Sequence, residues 1–489
     1  MNHSLIFNIN GERSIFPRNL GAHRIASWLR SNEWDVEVID YALVWSYDEL
    51  VAFAKSRINN NTKFIGFSTI FEKWNTTLYK FVVWLNTYHP DIILISGSMM
   101  LPNIEDPVDY HIRGFGEKAL DLLLKYLFSN GLKPATSKFG NIDVIDASKY
   151  PAYPMEDYAV YYEERDFLQP WEFLSIETAR GCVFQCTFCN HPVLGVKSDH
   201  TTSAESFQRQ LEENYSRWGI KNYVISDETF NDQTNKIKKF ANVVNKLNFT
   251  PWISAYIRID LLLSRPDDKK YLEDMNLFGQ YYGIESFNHK TAKAFKKGMH
   301  PDKIKNGLLE IKEYYAKSQK YRGTVSLIVG GPHEDKESIE SSMLWLIDNW
   351  NDQAVMQFPL IIPTGEQVRP SELTKNYNKY GYEGYPIKYF EDKYPDEKDL
   401  IYKLKKYTPM IYWKNEYMDI IQATNIQQKN SQRLVDAGFK IQSNDLSRFS
   451  KKFATIEEKL KLGVRDMDDD PSMGEWHKEY INKKLDWVQ

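Results

Sequence analysis

Apolar positions along the first 130 residues follow two alternating rhythms. Short runs rich in β-branched residues fall at Ser4–Ile9, Val36–Asp40, Phe64–Ser68 and Ile92–Ser96. Stretches with helical spacing lie between them, near Leu20–Arg30, Tyr47–Arg57 and Trp74–Tyr88. This order predicts a doubly wound α/β domain over residues 1–130, a parallel sheet of five strands with helices on both faces. Its ligand-facing edge would gather Asn10–Leu20, Ser68–Trp74 and Gly97–Pro102, because such sheets bind ligands at the carboxyl ends of their strands. Residues 131–170 carry Pro134, Pro151, Pro154 and Pro170 with little periodicity and read as a linker.

The alternation resumes at Glu172. Strands are predicted at Phe173–Glu177, Tyr223–Ser226, Trp252–Ile257, Gln280–Ile284, Thr324–Val329 and Val355–Ile361. Helices are predicted near Ser203–Trp218, Lys236–Leu247, Lys269–Leu277, Pro301–Lys317 and Ser338–Asn349. These make a second parallel α/β unit over residues 171–365. Residues 366–489 lose the strand rhythm and are rich in Tyr, Lys, Asp and Glu. They read as a helical extension, with helices near Glu397–Lys405, Glu416–Lys429 and Ile456–Leu462. That extension would cap the second unit with Tyr and Trp side chains, or form a solvated appendage.

A chain of 489 residues is long enough for two or three domains. The formal charge of −4 offers no basic field, which argues against nucleic acid as a partner. The first residues turn polar too early for a signal peptide, and no apolar run approaches membrane-spanning length.

The chemistry is concentrated in one segment. Cys182, Cys186 and Cys189 are the only cysteines, spaced C-x3-C-x2-C within Arg180-Gly-Cys-Val-Phe-Gln-Cys-Thr-Phe-Cys-Asn190. With all three on one loop no disulfide is expected, and a reducing cytoplasm fits. Three thiolates at this spacing can hold three irons of a 4Fe–4S cluster and leave the fourth open to a ligand. The alternative is a closed Cys3His zinc site completed by His191, within a binding protein that is not an enzyme; Pro192 stiffens the backbone there.

The cysteine spacing, the glycine before it and the aromatic Phe188 before the last cysteine resemble the cluster loop of the radical S-adenosylmethionine (SAM) enzymes. The second α/β unit is correspondingly similar to their partial (β/α)6 barrel, with the loop behind its first strand. The resemblance implies a 4Fe–4S cluster whose open iron holds SAM. It further implies reductive cleavage to a 5′-deoxyadenosyl radical that abstracts hydrogen from a small-molecule or peptide substrate. A one-electron donor such as flavodoxin or ferredoxin is implied too.

Other strand-end residues then acquire expected roles. Asp227 and Glu228 close the second strand, where a carboxylate would meet the SAM amino group, or Asp227 would serve as a helix N-cap. Arg258 would pair with the SAM carboxylate or with Asp260. Gly283-Ile-Glu285-Ser286 resembles the family's Gly-x-Glu-Ser signature near the ribose. Gly330 and Gly331, with Glu334, resemble the fifth-strand glycine motif, which lets backbone approach the adenine or simply makes a turn.

Phe64-Ile-Gly-Phe-Ser68, the turn at Gly97 and Ser98, and Val108-Asp-Tyr through Gly116-Glu117 resemble the cobalamin-binding domain fused ahead of some radical SAM barrels. The Gly114-Phe-Gly-Glu117 turn is weak as a phosphate loop. The usual Asp-x-His-x-x-Gly is absent between Asn10 and Gly21, and His23 reads as a surface or packing residue. Cobalamin would therefore bind with no His beneath the cobalt, and the fold of the first domain alone would serve equally as a buttress. With no cysteine to spare, a second Cys-ligated cluster is excluded, which argues against methylthio transfer. Hydrogen abstraction, or cobalamin-assisted methylation, remains.

Overall fold

The computed structural model describes residues 1–10, 18–69, 74–151, 154–191, 200–318, 321–364, 369–406, 409–439 and 472–487. The predicted loops 11–17 and 70–73 and the expected helix at Ile456–Leu462 lie outside the described residues.

The amino-terminal domain runs β1 (Asn2–Asn8), α1 (Leu20–Ser31), β2 (Trp34–Ile39), α2 (Tyr47–Arg57), β3 (Thr62–Ser68), α3 (Thr76–Tyr88), β4 (Ile93–Ser98), β5 (Tyr110–Arg113), α4 (Glu117–Phe128), β6 (Ser137–Phe139) and β7 (Ile142–Asp146). Strand alternation divides the core by face. Leu5, Phe7, Ile39 and Phe67 pack with α2 and α3, while Ile6, Val36, Val38 and Ile95 pack with α1 and α4. The strand order β2-β1-β3-β4-β5-β7-β6 puts the switch point between β1 and β3. Seven strands form where five were predicted. The extra pair is an antiparallel hairpin within the stretch read as linker, and β7 continues the parallel ladder beside β5. Its three-residue strand β6 is too short to show periodicity.

The second unit contains β8 (Phe173–Ile176), β9 (Ala179–Arg180), β10 (His200–Thr201), α5 (Ala204–Trp218), β11 (Asn222–Ile225), α6 (Thr234–Val244), β12 (Trp252–Ile257), α7 (Ile259–Ser264), α8 (Asp268–Asp274), β13 (Leu277–Glu285), α9 (His289–Ala294), α10 (Pro301–Ala316), β14 (Arg322–Val329), α11 (Lys336–Asn349) and β15 (Ala354–Pro359). Six parallel strands, in the order β15-β14-β13-β12-β11-β8, form an open barrel wall. Leu277, expected at the end of a helix, instead opens β13, because Met275 and Leu277 both enter the barrel's outer core.

The carboxyl extension divides between the two units. Elements α12 (Glu372–Lys375), β16 (Glu383–Tyr385), α13 (Ile387–Lys393), α14 (Lys398–Lys406), β17 (Tyr412–Lys414) and α15 (Ile420–Asp436) share a core with Val329, Ile339 and Leu360 at the β14–β15 side. Trp413 and Tyr382 of this extension are fully buried in that core. The final helix α16 (Ser472–Asp486) crosses to the amino-terminal domain, where Trp476, Tyr480 and Ile481 join the face formed by α2 and α3. Its Lys484 pairs with Glu37 (3.1 Å), both fully buried. No described helix is long and apolar enough to cross a membrane.

Candidate functional site

The cysteine loop leaves the barrel between β9 and β10, at the carboxyl end of β8, where sterically free strand ends converge. It is fastened at three places. At its start, Arg180 forms a bidentate pair with Glu117 at the first turn of α4 (2.7 and 3.0 Å) and bonds Glu177 (2.7 and 3.0 Å). In its middle, the Arg258 guanidinium lies 3.9 Å from the centre of the Phe184 ring and donates to Cys186 Sγ at 3.6 Å. At its end, Thr187 N donates to Phe295 O and Thr187 Oγ1 to Ala294 O, while Leu373 N donates to Thr187 O. Amino-terminal domain, barrel and carboxyl extension thus all touch this loop.

Three free thiols on one loop are a donor set whose chemistry suits iron. Cys182 Sγ is 3.8 Å from Thr229 Oγ1, and burial pushes the Cys189 thiol up to about 11, so that cysteine stays protonated until a cation displaces the proton. His191 Nδ1 lies 3.1 Å from Glu228 Oε1. Among the described residues no three His, Cys, Asp or Glu side chains converge on one ion position.

The remaining predicted residues divide between the mouth and its supports. Arg258 caps β12 and is held by Asp260 at 2.6 Å, so the salt bridge and the cluster-facing position coexist. Glu285 ends β13 in the left-handed region (φ 70°), where a bulky residue is strained and such strain clusters at functional sites. Burial raises its pKa, and Lys297 faces it at 3.4 Å. Phe188 packs edge-on against Phe295.

Asp227 points inward. It accepts from Thr178 N (2.7 Å), Thr178 Oγ1 (2.6 Å) and Ala179 N (3.0 Å), bracing the lead-in to the loop, and burial raises its pKa to about 7. Ser286 likewise donates to Glu334 Oε1 (2.6 Å), whose other oxygen accepts from Gly330 N and Gly331 N. Gly330 has φ +88°, and a Cβ there would meet the Trp413 ring at 2.6 Å, so the close approach it permits is to the carboxyl extension.

Sequence reasoning missed Arg180, Glu177, Phe184, Thr187, Lys297 and Thr229 as parts of this site. Arg180 carried a signal, standing two positions before the first cysteine. A depression of about 380 Å³ lined by Leu309, Lys312, Tyr315, Tyr321, Arg322 and Asp352 opens at the amino ends of β14 and β15, away from the cysteines.

The amino-terminal edge faces the same region, since Glu117 reaches Arg180 and Arg369 reaches Asp146 and Ser148 across the crevice. Small groups line it: Ser68, Gly97 and Ser98 end β3 and β4. Among the described residues, a Cβ at Gly97 would come within 4 Å of the Ile112 carbonyl alone, at 3.7 Å. His111 bonds Ser96 and Met100 O, and burial lowers its pKa to about 4, so it is a neutral brace of that turn. His23, read as a surface or packing residue, is fully buried against Asp40 at 3.1 Å. Both rings are engaged by other groups of the domain, His23 by Asp40 and His111 by Ser96 and Met100 O.

Residues 176–346 match the radical SAM superfamily. The barrel is therefore a radical SAM domain, an enzyme domain whose family implies a 4Fe–4S cluster and SAM as cofactors. The chain is 22% identical over 211 residues to an uncharacterized methyltransferase of Pyrococcus horikoshii, covering 43% of each chain. It is 28% identical over 205 residues to a putative methylthiotransferase of Methanocaldococcus jannaschii, covering 39% of this chain and 42% of that one. Each match spans less than half of the relative's own length. The structure of the radical SAM methyltransferase TsrM from Kitasatospora setae, solved with cobalamin and a 4Fe–4S cluster, superimposes over 99% of both chains with a TM-score of 0.64 at 12% identity. The whole chain thus shares the fold of that structure.

Proposed function

We propose that this chain binds a 4Fe–4S cluster through Cys182, Cys186 and Cys189 and uses it to cleave SAM reductively. The observation that carries this reading is the cysteine loop at the barrel mouth, with Arg258 and Glu285 at neighbouring strand ends. When bound, the cluster would supply the one electron that breaks a carbon–sulfur bond of SAM, releasing methionine and leaving the 5′-deoxyadenosyl group to take hydrogen from a small-molecule or peptide substrate.

The chain's own residues bind and orient. Arg258, fixed by Asp260 and Phe184, offers an N–H to Cys186 and its positive charge to a carboxylate. Glu285 and Lys297 present opposite charges toward the ribose end. Glu334 holds Ser286 and the Gly330–Gly331 turn in one arrangement. An acidic protein such as flavodoxin or ferredoxin would supply the electron. Anaerobic reconstitution, then SAM and dithionite, should release 5′-deoxyadenosine; a folded, iron-loaded protein that releases none would refute the proposal.

A second reading, cobalamin-dependent methylation, is favoured by the full-length similarity to TsrM. Ser68, Gly97 and Ser98 would hold the corrinoid. Methylthio transfer, named for one relative, finds no second set of thiolates in these 489 residues. Hydroxocobalamin retained through desalting supports methylation; a colourless protein leaves direct hydrogen abstraction.

A further inference from the structure

We propose that Glu117, in the amino-terminal domain, is a positioning residue for the cysteine loop and acts through Arg180. The inference rests on the cluster reading above. Arg180 is separated from Cys182 only by Gly181, which has φ +99°. Asp227 braces the backbone as far as Ala179, but beyond it, among the described residues, β9 and β10 are two residues each and pair with one another alone. A two-residue ladder cannot by itself fix where a loop begins. The guanidinium can, because its planar fork bonds two carboxylates at once in fixed directions.

Those carboxylates come from different domains. Glu177 follows β8 in the barrel, and Glu117 opens α4 in the amino-terminal sheet. Glu117 is shared: one of its oxygens also accepts from Arg24 Nε on α1. The rings of Phe115 and Tyr158 lie against Arg180 and Arg24 respectively. All four charged groups are at least nine-tenths buried, and two cations balance two anions. Removing one member leaves an uncompensated charge in a dry site, so the group holds together or rearranges as a unit. The Gly114-Phe-Gly-Glu117 turn, weak as a phosphate loop, thereby gains a function: it carries the amino-terminal domain's grip on the cluster loop. The same linkage gives any ligand in the crevice above Gly97 a mechanical route to the cysteines.

The test compares reconstituted holoenzymes. Glu117→Gln removes the charge, whereas Glu117→Asp and Arg180→Lys keep the charge balance and lose only the geometry. Lys484→Met is the control, since it breaks the buried Lys484–Glu37 pair elsewhere between the same domain and the chain's last helix. The Glu117 and Arg180 variants should lose iron to a chelator ~10- to 100-fold faster than the wild type, as expected when a supporting contact behind a metal ligand is removed. The electron paramagnetic resonance signal of their reduced cluster with SAM should shift as well. Lys484→Met should lower the melting temperature yet release iron at the wild-type rate. Wild-type release from the charge-conserving variants would overturn the proposal, as would equal acceleration by Lys484→Met. If Glu117→Gln does not fold, the two charge-conserving variants carry the same readout. A wild type that takes up no iron would refute the cluster reading instead. Alkylation rates of Cys182, Cys186 and Cys189 by a maleimide would then decide the positioning role, with the same variants and the same expected order.

Discussion

At the carboxyl edge of the amino-terminal sheet, Asp40 and Glu117 are wedged against cations. Asp40 meets Arg18 and His23, and Glu117 meets Arg24 and Arg180. At the barrel mouth Asp227 and Glu334 are as deeply buried, but their bonded partners are backbone N–H groups and hydroxyls, with Lys236 3.8 Å from Asp227. Burial alone would raise all four pKa values. Beside Asp40 and Glu117 the neighbouring cations more than offset it and hold the carboxyls well below the usual range. For Asp227 and Glu334 burial prevails, and both are pushed up to about 7. The first sheet spends its carboxylates on clamping domains together. The second uses its buried carboxylates to brace backbone and hydroxyls, while Arg258 with Asp260 and Glu285 with Lys297 form ion pairs at neighbouring strand ends.

The largest expected effect breaks the functional side of that contrast. Ala at Cys182, Cys186 or Cys189 should abolish cluster assembly and 5′-deoxyadenosine release with the fold retained, whereas His191→Ala should keep its iron. Iron and sulfide analysis separates these outcomes, and a cluster lost with His191 would return the site to zinc. Next, Asp40→Asn should destabilise the protein by about 3–5 kcal/mol, because Arg18 would lose a buried partner, with SAM affinity unchanged in the folded fraction. Denaturant unfolding and equilibrium binding measure the two. Arg258→Ala should do the reverse, weakening SAM binding by about 1.5–3 kcal/mol at an unchanged melting temperature. If Asp40→Asn and Arg258→Ala affected the same observable, the division of labour would collapse.

The smallest effect is in pH. A carboxyl with a raised folded pKa binds its proton more tightly in the native state, so its contribution falls as pH rises from the unfolded pKa through the folded one. For Glu334 that window runs from 4.5 to about 7. The wild-type melting temperature should therefore decline across it more steeply than that of Glu334→Gln. Asp40 and Glu117 have the opposite sign: their stabilisation is present above the ordinary carboxylate pKa and is lost only in acid.

The legible parts of this chain were those with a local cause. Trp252–Ile257 was read with the bounds the structure shows, because alternation and β-branched residues act within a strand. The cysteine loop was legible because its three thiols lie close together in sequence, behind the first strand of the second unit. The β6–β7 hairpin was not legible, since strands of three and five residues are stabilised mainly by the sheet they join. Gly330 was read as room for a ligand, and nothing near it in sequence announces Trp413.

The sequence by itself determined the main strands and helices of the two α/β units, where the cysteines lie, and which strand ends carry Arg258 and Glu285. Tertiary structure alone decided which polar groups became partners. Glu117 and Arg180 are 63 positions apart, and Asp40 N and Tyr480 OH are 440 apart. The physical reason is that apolar periodicity depends on neighbours three or four positions away, while a buried charge takes whichever opposite charge the folded chain brings within hydrogen-bond reach.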